Sequence, residues 1–535
     1  MSEASGGQKK QGSWPPLLVL LVGAVAIGAA AVWPVPTDMR ALLPDTTFTD
    51  GHHIALGFAD GTLPFSFANR ARTLDIAGGA EFRPLLWPAD LLASVVGPVL
   101  ALNLVFVLIP AFNAVCGWLL GAALRLGGWS RFVLGAAIAF NPWVHTTLAN
   151  GQLEQAVLGG AALLWAVASF GARRPWIGVP LLAVTTLAVG TAAPHVALAA
   201  CAGLTVWAVV AVAAERSDRR AAFFVAARWL ALVGAAALGA LSASRYHAPN
   251  FDPVVRLFAP FGSVDAAPVG AQVKRAVLLT DLFFAPGLPP RLANGVVHTG
   301  YLGVPLIVAA LAGIRWLRAP LLVGLACLVL AFGAGTVVPL PYAAIEALSP
   351  TIAASGTPYR FLIGALVGLA ASAAAIPWGP RGALALVALL WADGWVGDPR
   401  PLPLATSAVV HDPSTVALAV GTGPVLDLPV SGPRCREGAT HFLLEAIAHK
   451  RSVPVVMRPA YEAWPAADRD FARRVDAGLK SCDPTVLEAI RAAGFTAVVA
   501  HGHRDCNLDP AEEVCLRSAF GPGTSQGTVT WWAVK

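Results

Sequence analysis

The 535-residue chain is 56 % hydrophobic and only 13 % charged, and its mean hydropathy is +0.65. Apolar runs long enough to cross a bilayer recur along the first three-quarters of the chain. Soluble domains rarely show this, so the composition predicts a polytopic α-helical membrane protein. The pI near 9.1 does not indicate nucleic-acid binding, because the basic residues are scattered over short connectors between the apolar runs.

A tail of residues 1–14 precedes the first apolar run, and we expect it to be cytoplasmic. A lysine pair before that run is typical of a signal peptide. Pro15 and Pro16 open the run, however, and no small-residue cleavage site follows it, so we predict an uncleaved span. The transmembrane region, residues 15–397, is predicted to hold about eleven helices. Their expected ranges are 15–35, 91–124, 132–149, 153–171, 176–193, 195–214, 222–244, 300–314, 319–338, 359–376 and 382–397.

The short connectors between these spans sort by charge. Those that carry lysine or arginine all fall on one side, which the positive-inside rule assigns to the cytoplasm. The odd number of spans then places the C-terminus outside, in the periplasm of a bacterial inner membrane. The basic connector residues are Lys9, Lys10, Arg125, Arg131, Arg173, Arg174, Arg216, Arg219, Arg220, Arg315, Arg318 and Arg381.

Cysteine usage agrees with an exported tail. Three cysteines lie inside apolar runs, where a thiol is usually a small packing residue. The other four lie in the hydrophilic C-terminal segment, and an even number there indicates two disulfides in an oxidising compartment. Of the three pairings, the favoured one joins Cys506 to Cys515 across a short loop and leaves Cys435 with Cys482.

Three segments are predicted to project outward: the loops 36–90 and 245–299, and the tail 398–535. The tail is predicted to be a small α/β domain, because β-branched runs bounded by Gly and Pro alternate with helical patterns. It has no nucleophile elbow, phosphate loop or metal-ligand spacing, which favours binding or packing over catalysis. Expected strands are 416–420, 424–430, 453–457, 496–501 and an edge strand at 529–535; expected helices are 440–450, 484–495 and 512–520.

Several segments resemble, in the same order, those of a broad group of bacterial membrane proteins related to GT-C-type glycosyltransferases. They are AEFRPLLWPADLLASVVGPVLALNL (80–104), AAIAFNPWVHTTLANGQLEQAVLGGAALLW (136–165), YLGVPLIVAALAGI (301–314), TPYRFLIGALVGLAASA (357–373), and VLDLPV, HFLLEAIAHKRSVPVV and VTWWAVK in the tail. The resemblance implies a polytopic enzyme that uses a polyprenyl-phosphate sugar and carries an acidic catalytic residue in its first outer loop. The chain departs from the group at Gln152, where relatives carry His, and at Leu102–Asn103, where they have Tyr–Asn.

The stretch TFTDGHHIAL (47–56) holds the first choice for that acid, Asp50, as the general base that deprotonates the acceptor hydroxyl. The alternative interpretation is that Asp50 caps the N-terminus of a helix. His52 and His53 would tune Asp50 or ligate a metal, although adjacent histidines cannot both face it from a helix. Asp60, followed by Gly, is either a substrate ligand or a turn residue.

A second carboxylate, Glu154, starts a span at the outer surface in NGQLEQ and is the other catalytic candidate, with Gln152 beside it. The alternative is an interfacial side chain that reaches water. His145 and His195 are weaker candidates at the same outer end.

The donor phosphate needs positive charge, either from arginine and lysine or from a divalent cation, for which we assign no ligands. Outward loops are normally poor in basic residues, so a basic cluster there calls for an explanation. Anionic lipid headgroups explain it as well as a donor phosphate does. The candidates are Arg245, His247, Arg256, Lys274, Arg275 and, at the outer end of a span, Arg360.

The sequence therefore predicts a membrane glycosyltransferase whose partners are a lipid-linked sugar donor and membrane lipids, with no nucleic acid. Two alternatives stay open: a non-catalytic scaffold that keeps the fold, and a transporter of a lipid-linked precursor. The transporter is less favoured, because no predicted span carries a buried charge at mid-depth.

Overall fold

The computed structural model describes residues 14–39, 42–44, 95–96, 98–150, 153–215, 217–247, 292–293, 296–297, 301–333, 341–343, 358–397, 403–404, 406–408, 425–428, 466–501, 508–526 and 529–534. These residues form a bundle of apolar helices and a small domain with helices and a sheet. The bundle helices are α1 (Trp14–Ala31), α2 (Pro98–Ala123), α3 (Gly128–Ala139), α4 (Pro142–Asn150), α5 (Leu153–Ala156), α6 (Gly159–Gly171), α7 (Pro175–Ala192), α8 (Pro194–Ala214), α9 (Arg219–His247), α10 (Val304–Gly313), α11 (Arg318–Ala331), α12 (Leu362–Ala374) and α13 (Pro380–Gly397).

Four helices among the described residues are long and apolar enough to cross a membrane: Val99–Ala123, Gly128–Ala149, His195–Ala214 and Arg219–Ala243. Shorter apolar helices accompany them, among them Pro16–Ala31 and Pro175–Gly190. The prediction of eleven spans is therefore not confirmed. The physical reason is that several apolar runs form helices too short to cross a bilayer. Val304–Gly313 covers only part of the expected 300–314, and Arg318–Ala331 ends seven residues before the expected end at 338.

Asn141 explains why the third span is broken into α3 and α4. Its side-chain amide donates to the carbonyls of Ala137 and Ile138 at 3.1 and 3.0 Å, and its Oδ1 accepts the N–H of Val144 at 3.1 Å. One side chain thus provides hydrogen-bond partners for backbone carbonyls at the end of α3 and for a backbone N–H at the start of α4. Pro142, which has no N–H, occupies the first position of α4. The span bends at this point instead of ending.

Small residues let the helices approach closely. A Cβ on Gly368 of α12 would lie 2.6 Å from the Cα of Gly324 on α11, so the two backbones touch where neither residue has a side chain. Close contact of this kind is how helices associate when surrounding lipid is as apolar as their own side chains.

Tertiary hydrogen bonds show which connectors meet at each end of the bundle. Nη1 of Arg173 donates to the carbonyl of Ala123 at 2.8 Å, and Ser130 Oγ donates to the carbonyl of Ile376 at 2.8 Å. The connectors α2–α3, α6–α7 and α12–α13 therefore meet at one end, hereafter the basic end. At the opposite end the N–H of Leu404 donates to Ala31 O at 2.8 Å.

Two short strands also pair at that opposite end. Strand β1 (Leu42–Pro44), just after α1, runs antiparallel to β4 (Thr406–Ala408), where the tail begins. A second short pair joins β2 (Leu292–Ala293) and β3 (Val296–Val297). The segment after the first helix and the start of the tail therefore lie side by side.

The small domain has a four-stranded sheet in the order β5 (Val425–Leu428), β6 (Ala497–His501), β8 (Val529–Ala533) and β7 (Thr524–Gln526). Strands β5 and β6 are parallel, and the other pairs are antiparallel. Helices α14 (Ala466–Ser481), α15 (Pro484–Ala492) and α16 (Pro510–Phe520) accompany it. The α/β prediction is confirmed for the described part of the tail.

One tail prediction needs correction, and the tail holds one helix that was not predicted. The strand at 529–533 is not an edge strand, because β7 pairs with its other side. Helix α14 was not predicted, although its sequence has strong helical amphipathicity. The expected elements at 416–420, 440–450 and 453–457 lie outside the described residues.

The predicted disulfide pairing is wrong. Cys482 is bonded to Cys515, with a Cα–Cα distance of 5.2 Å. Helices α14 and α16 pack against each other, which brings the end of α14 beside the buried Cys515. Helix packing therefore selects the pair, whereas the prediction rested on the shortest loop. Cys435 and Cys506 lie outside the described residues.

Candidate functional site

Most of the predicted site residues lie outside the described part of the chain, and their roles remain predictions. They are Asp50, His52, His53, Asp60, Gln152, Arg256, Lys274 and Arg275. The structure places Glu154 in the short helix α5, and Arg245 and His247 in the last turn of α9. Arg360 is described in full.

Arg360 lies in a 3-10 turn, Pro358–Phe361, that leads into helix α12 at the end of the bundle opposite the basic end. The other three residues of the turn are buried, whereas Arg360 is half-buried. Three apolar side chains thus anchor the turn and hold the guanidinium at the surface of the core. The neighbouring Tyr359 ring centroid is 5.9 Å from the Arg360 Cζ, within the range of a cation–π contact.

His195, at the start of α8, is the partner of Arg360. Nη1 of Arg360 lies 2.8 Å from Nδ1 of His195 and also close to its Nε2. Because a guanidinium only donates, the imidazole accepts here through a nitrogen lone pair. In this contact Arg360 uses the Nη1 of its guanidinium group. The Nε is buried and has no hydrogen-bond partner among the described residues.

Aromatic contacts connect this turn to the helix of Glu154. The ring of Trp143 on α4 lies 5.8 Å from that of Tyr359, and its Nε1 donates to the carbonyl of Gln155 at 3.1 Å. Helix α5 also packs against α8, which carries His195. The structure therefore brings Arg360, His195 and the helix of Glu154 to the same end of the bundle.

Near this end, three buried polar side chains have atoms without a hydrogen-bond partner in the described structure. Both ring nitrogens of His145, Oγ1 of Thr146 and both amide atoms of Gln155 have no hydrogen-bond partner among the described residues. Each is at most 4 % exposed, and a buried polar group without a partner costs free energy. From the sequence, His145 is only a weaker candidate, and nothing in the local pattern distinguishes Thr146 or Gln155.

Asp393 and Tyr301 form a second polar pair that sequence reasoning missed. The Tyr301 hydroxyl donates to Oδ1 of Asp393 at 2.5 Å and accepts the N–H of Val304 at 3.3 Å. Oδ2 of Asp393 is buried and has no hydrogen-bond partner in the described part of the chain. A carboxylate in the apolar run 382–397 was the available signal, since ionisable residues in such runs are rare and usually functional.

An apolar groove of about 170 Å³ lies between α8 and α9. Its α8 wall begins at Leu198, one helical turn from His195, and one edge is formed by Phe361, the residue after Arg360. The hydroxyl of Thr205 in this wall donates to its own helix at Cys201 O, 3.0 Å away, so it offers no free donor. The lining residues are Leu198, Cys201, Ala202, Thr205, Val233, Ala236, Ala237 and Phe361.

The described residues contain no group of three or more His, Cys, Asp or Glu side chains placed to hold a metal ion. The pair His52–His53 and Asp50 lie outside that part of the chain.

No protein-family model and no curated protein sequence matches the chain. Among solved structures, the chain is similar to the oligosaccharyltransferase of Archaeoglobus fulgidus in the apo form, at 13 % identity and a TM-score of 0.45, over 92 % of this chain and 70 % of that one. It is also similar to AglB of the same organism in complex with an inhibitory peptide and a dolichol-phosphate, at 13 % identity and a TM-score of 0.45, over 91 % and 69 % of the two chains. At this identity and TM-score, the likeness does not indicate a function.

Proposed function

We propose that this protein is a membrane glycosyltransferase of the GT-C type, which transfers a sugar from a polyprenyl-phosphate donor to an acceptor of the periplasmic cell envelope. The observation that carries the proposal is Arg360, held against His195 at the mouth of an apolar groove. A donor of this kind joins a phosphate to a long hydrocarbon chain, and the two parts of the site match the two parts of the donor.

Arg360 supplies the charge for the phosphate. Within the described residues it makes no salt bridge, and its Nε lacks an acceptor. An uncompensated guanidinium at the end of an apolar bundle is costly unless an anion joins it. Its planar set of N–H donors suits a phosphate, which it can bind through two parallel hydrogen bonds.

The groove between α8 and α9 supplies the surface for the hydrocarbon chain. Its lining is apolar apart from a threonine whose hydroxyl is already bonded, so a prenyl chain entering it leaves no polar group unsatisfied. The groove starts one helical turn from His195, which is close enough for a phosphate at Arg360 to continue into a chain along α8.

The proposed reaction breaks the bond between the anomeric carbon and the phosphate oxygen, and forms a bond from that carbon to the acceptor oxygen. Asp50 takes the acceptor proton, and Glu154 is the second carboxylate of the site. The phosphate leaves with the negative charge, which Arg360 stabilises. Divalent-cation assistance would supply the same charge stabilisation.

The remaining predicted ligands extend this proposal. We place His52, His53, Asp60 and Gln152 around the acceptor and the sugar. Additional phosphate contacts come, in this proposal, from the second outer loop and the end of α9. Those residues are Arg245, His247, Arg256, Lys274 and Arg275.

A transfer assay tests the proposal. The full chain in proteoliposomes is given polyprenyl-phosphate sugars labelled in the sugar, and label in lipid-free or glycan product is measured. We expect Arg360→Gln to lower transfer by about 100-fold, in line with loss of one transition-state hydrogen-bond donor. Arg381→Gln is the matched control, because Arg381 is exposed at the start of α13, at the basic end. Equal activity of the two variants would contradict the proposal.

A further inference from the structure

Arginines gather where helix α2 ends, at the basic end of the bundle. Arg173, from the α6–α7 connector, donates from Nη1 to Ala123 O at 2.8 Å. Arg131, from α3, donates from Nε to Leu126 O at 2.8 Å. These carbonyls belong to the last residue of α2 and to the turn after it, where helix carbonyls otherwise lack donors. Arg125 lies between these two carbonyls in sequence, and Arg174 follows Arg173. We call the four residues Arg125, Arg131, Arg173 and Arg174 the arginine cluster.

No carboxylate in the described part of the chain neutralises the charge of the arginine cluster. None of its four members makes a salt bridge within the described residues, and two of them use N–H donors on neutral carbonyls. Burial, followed by the positive charges of Arg125 and Arg174, lowers the pKa of Arg173. Like charges are therefore held together at a cost, and an anion placed among them would relieve it.

Side chains around the cluster suit the interface of a bilayer. Trp176, two residues after Arg174, is 78 % exposed on the first turn of α7. Arg131 lies over the ring of Trp118 at 5.9 Å, and Arg174 over Phe170 at 5.9 Å. Exposed tryptophan beside arginine is the usual arrangement at headgroup depth. The side chains around the cluster are therefore of the types found at headgroup depth, where lipid phosphates lie.

We propose that the arginine cluster is a binding site for the phosphate of an anionic phospholipid, in the leaflet at the basic end. The positive-inside rule accounts for arginines in each connector. It does not require two connectors to meet at one helix end with no carboxylate paired to them among the described residues, as they do here. Clustered arginines just outside apolar helices bind acidic headgroups, with each positive charge strengthening the attraction. The inference does not depend on the proposed transferase activity.

Native mass spectrometry of the purified full chain tests the proposal. The protein in detergent is mixed with equal amounts of phosphatidylglycerol and zwitterionic phosphatidylethanolamine, and the bound lipids are counted. We expect phosphatidylglycerol to be retained preferentially. Arg125→Gln with Arg174→Gln should weaken its binding by about 30-fold, since two interfacial charges are removed. Arg131 and Arg173 are left intact because they hold the end of α2.

Two matched pairs complete the test. Arg125→Lys with Arg174→Lys keeps both charges and should stay within about threefold of the wild type. Arg315→Gln with Arg318→Gln removes two exposed charges on either side of Trp316, one in the α10–α11 connector and one at the first residue of α11. This pair should also stay within about threefold. A wild type that shows no preference for phosphatidylglycerol would overturn the proposal, even if the glutamine pair did not fold. So would an equal loss in the Arg315–Arg318 pair, or undiminished binding in the glutamine pair.

Discussion

Arg360 and His195 are in direct contact, 2.8 Å from Nη1 to Nδ1, although they come from different helical segments of the bundle. The histidine starts α8 and the arginine precedes α12, so the contact positions a guanidinium across two elements. If Arg360 binds the donor phosphate, His195 is a positioning residue that fixes which side of the fork faces the ligand.

Removing the His195 imidazole, which positions Arg360, should weaken donor binding more than it slows the chemical step. We expect His195→Ala to raise the KM for a polyprenyl-phosphate sugar by about tenfold, because Arg360 loses the charge-assisted hydrogen bond that orients it. The kcat should stay within about threefold of the wild type. Steady-state kinetics in proteoliposomes measure the split. An unchanged KM with a large fall in kcat would show that His195 acts on the reacting atoms instead.

Tyr301 and Asp393 should contribute to stability through their hydrogen bond. Tyr301→Phe removes the donor to a carboxylate whose other oxygen has no partner among the residues that the structure describes, and we expect a loss of about 2 kcal/mol in the free energy of unfolding. Thermal unfolding in detergent would record it as a lower Tm. In the double variant with Asp393→Leu the loss should shrink, because both polar partners are gone. A double variant that loses the sum of both single effects would contradict this account.

Asn113 should be among the costliest side chains to truncate. It is fully buried on α2, donates from Nδ2 to Ala156 O at 2.8 Å and accepts the N–H of Gly159 at 2.7 Å. It thereby gives hydrogen-bond partners to the two backbone groups that flank the break between α5 and α6. Asn113→Ala leaves both backbone groups unpaired, for an expected loss of about 2–4 kcal/mol. Thr205→Ala is the control, since that hydroxyl bonds only within its own helix, and it should change stability by less than about 0.5 kcal/mol.

The tail disulfide can be checked by peptide mapping without reduction. We expect a linked peptide containing Cys482 and Cys515, and none that joins Cys506 to Cys515. The two remaining tail cysteines follow the carboxyl ends of the parallel strands β5 and β6, so we also expect them to pair with each other. A peptide joining Cys435 to Cys482 would contradict both expectations.

The sequence predicted those features that depend on local pattern. Apolar runs predicted the helices, and the cluster of strand and helix signals around residues 484–520 predicted α15, β6 and α16. Arg360 could be singled out because it interrupts an apolar run near its start. The same kind of pattern also indicates helix α14, since its apolar residues recur at helical spacing.

Other features depend on contacts between distant segments. Asp393 was visible in an apolar run, but its partner Tyr301 lies 92 residues away, and no local pattern connects them. The disulfide followed the packing of α14 on α16 instead of the shortest loop. The strand at 529–533 is internal because β7 covers it, which a single strand pattern cannot reveal.

The location of a bound polyprenyl phosphate tests the central claim most directly. Cryo-electron microscopy of the full chain in nanodiscs with undecaprenyl phosphate would supply it. Our account predicts phosphate density about 2.7–2.9 Å from the Arg360 guanidinium, with the chain running along the groove beside Leu198 and Phe361. Phosphate bound elsewhere, with neither Arg360 nor the α8–α9 groove in contact with the lipid, would contradict it.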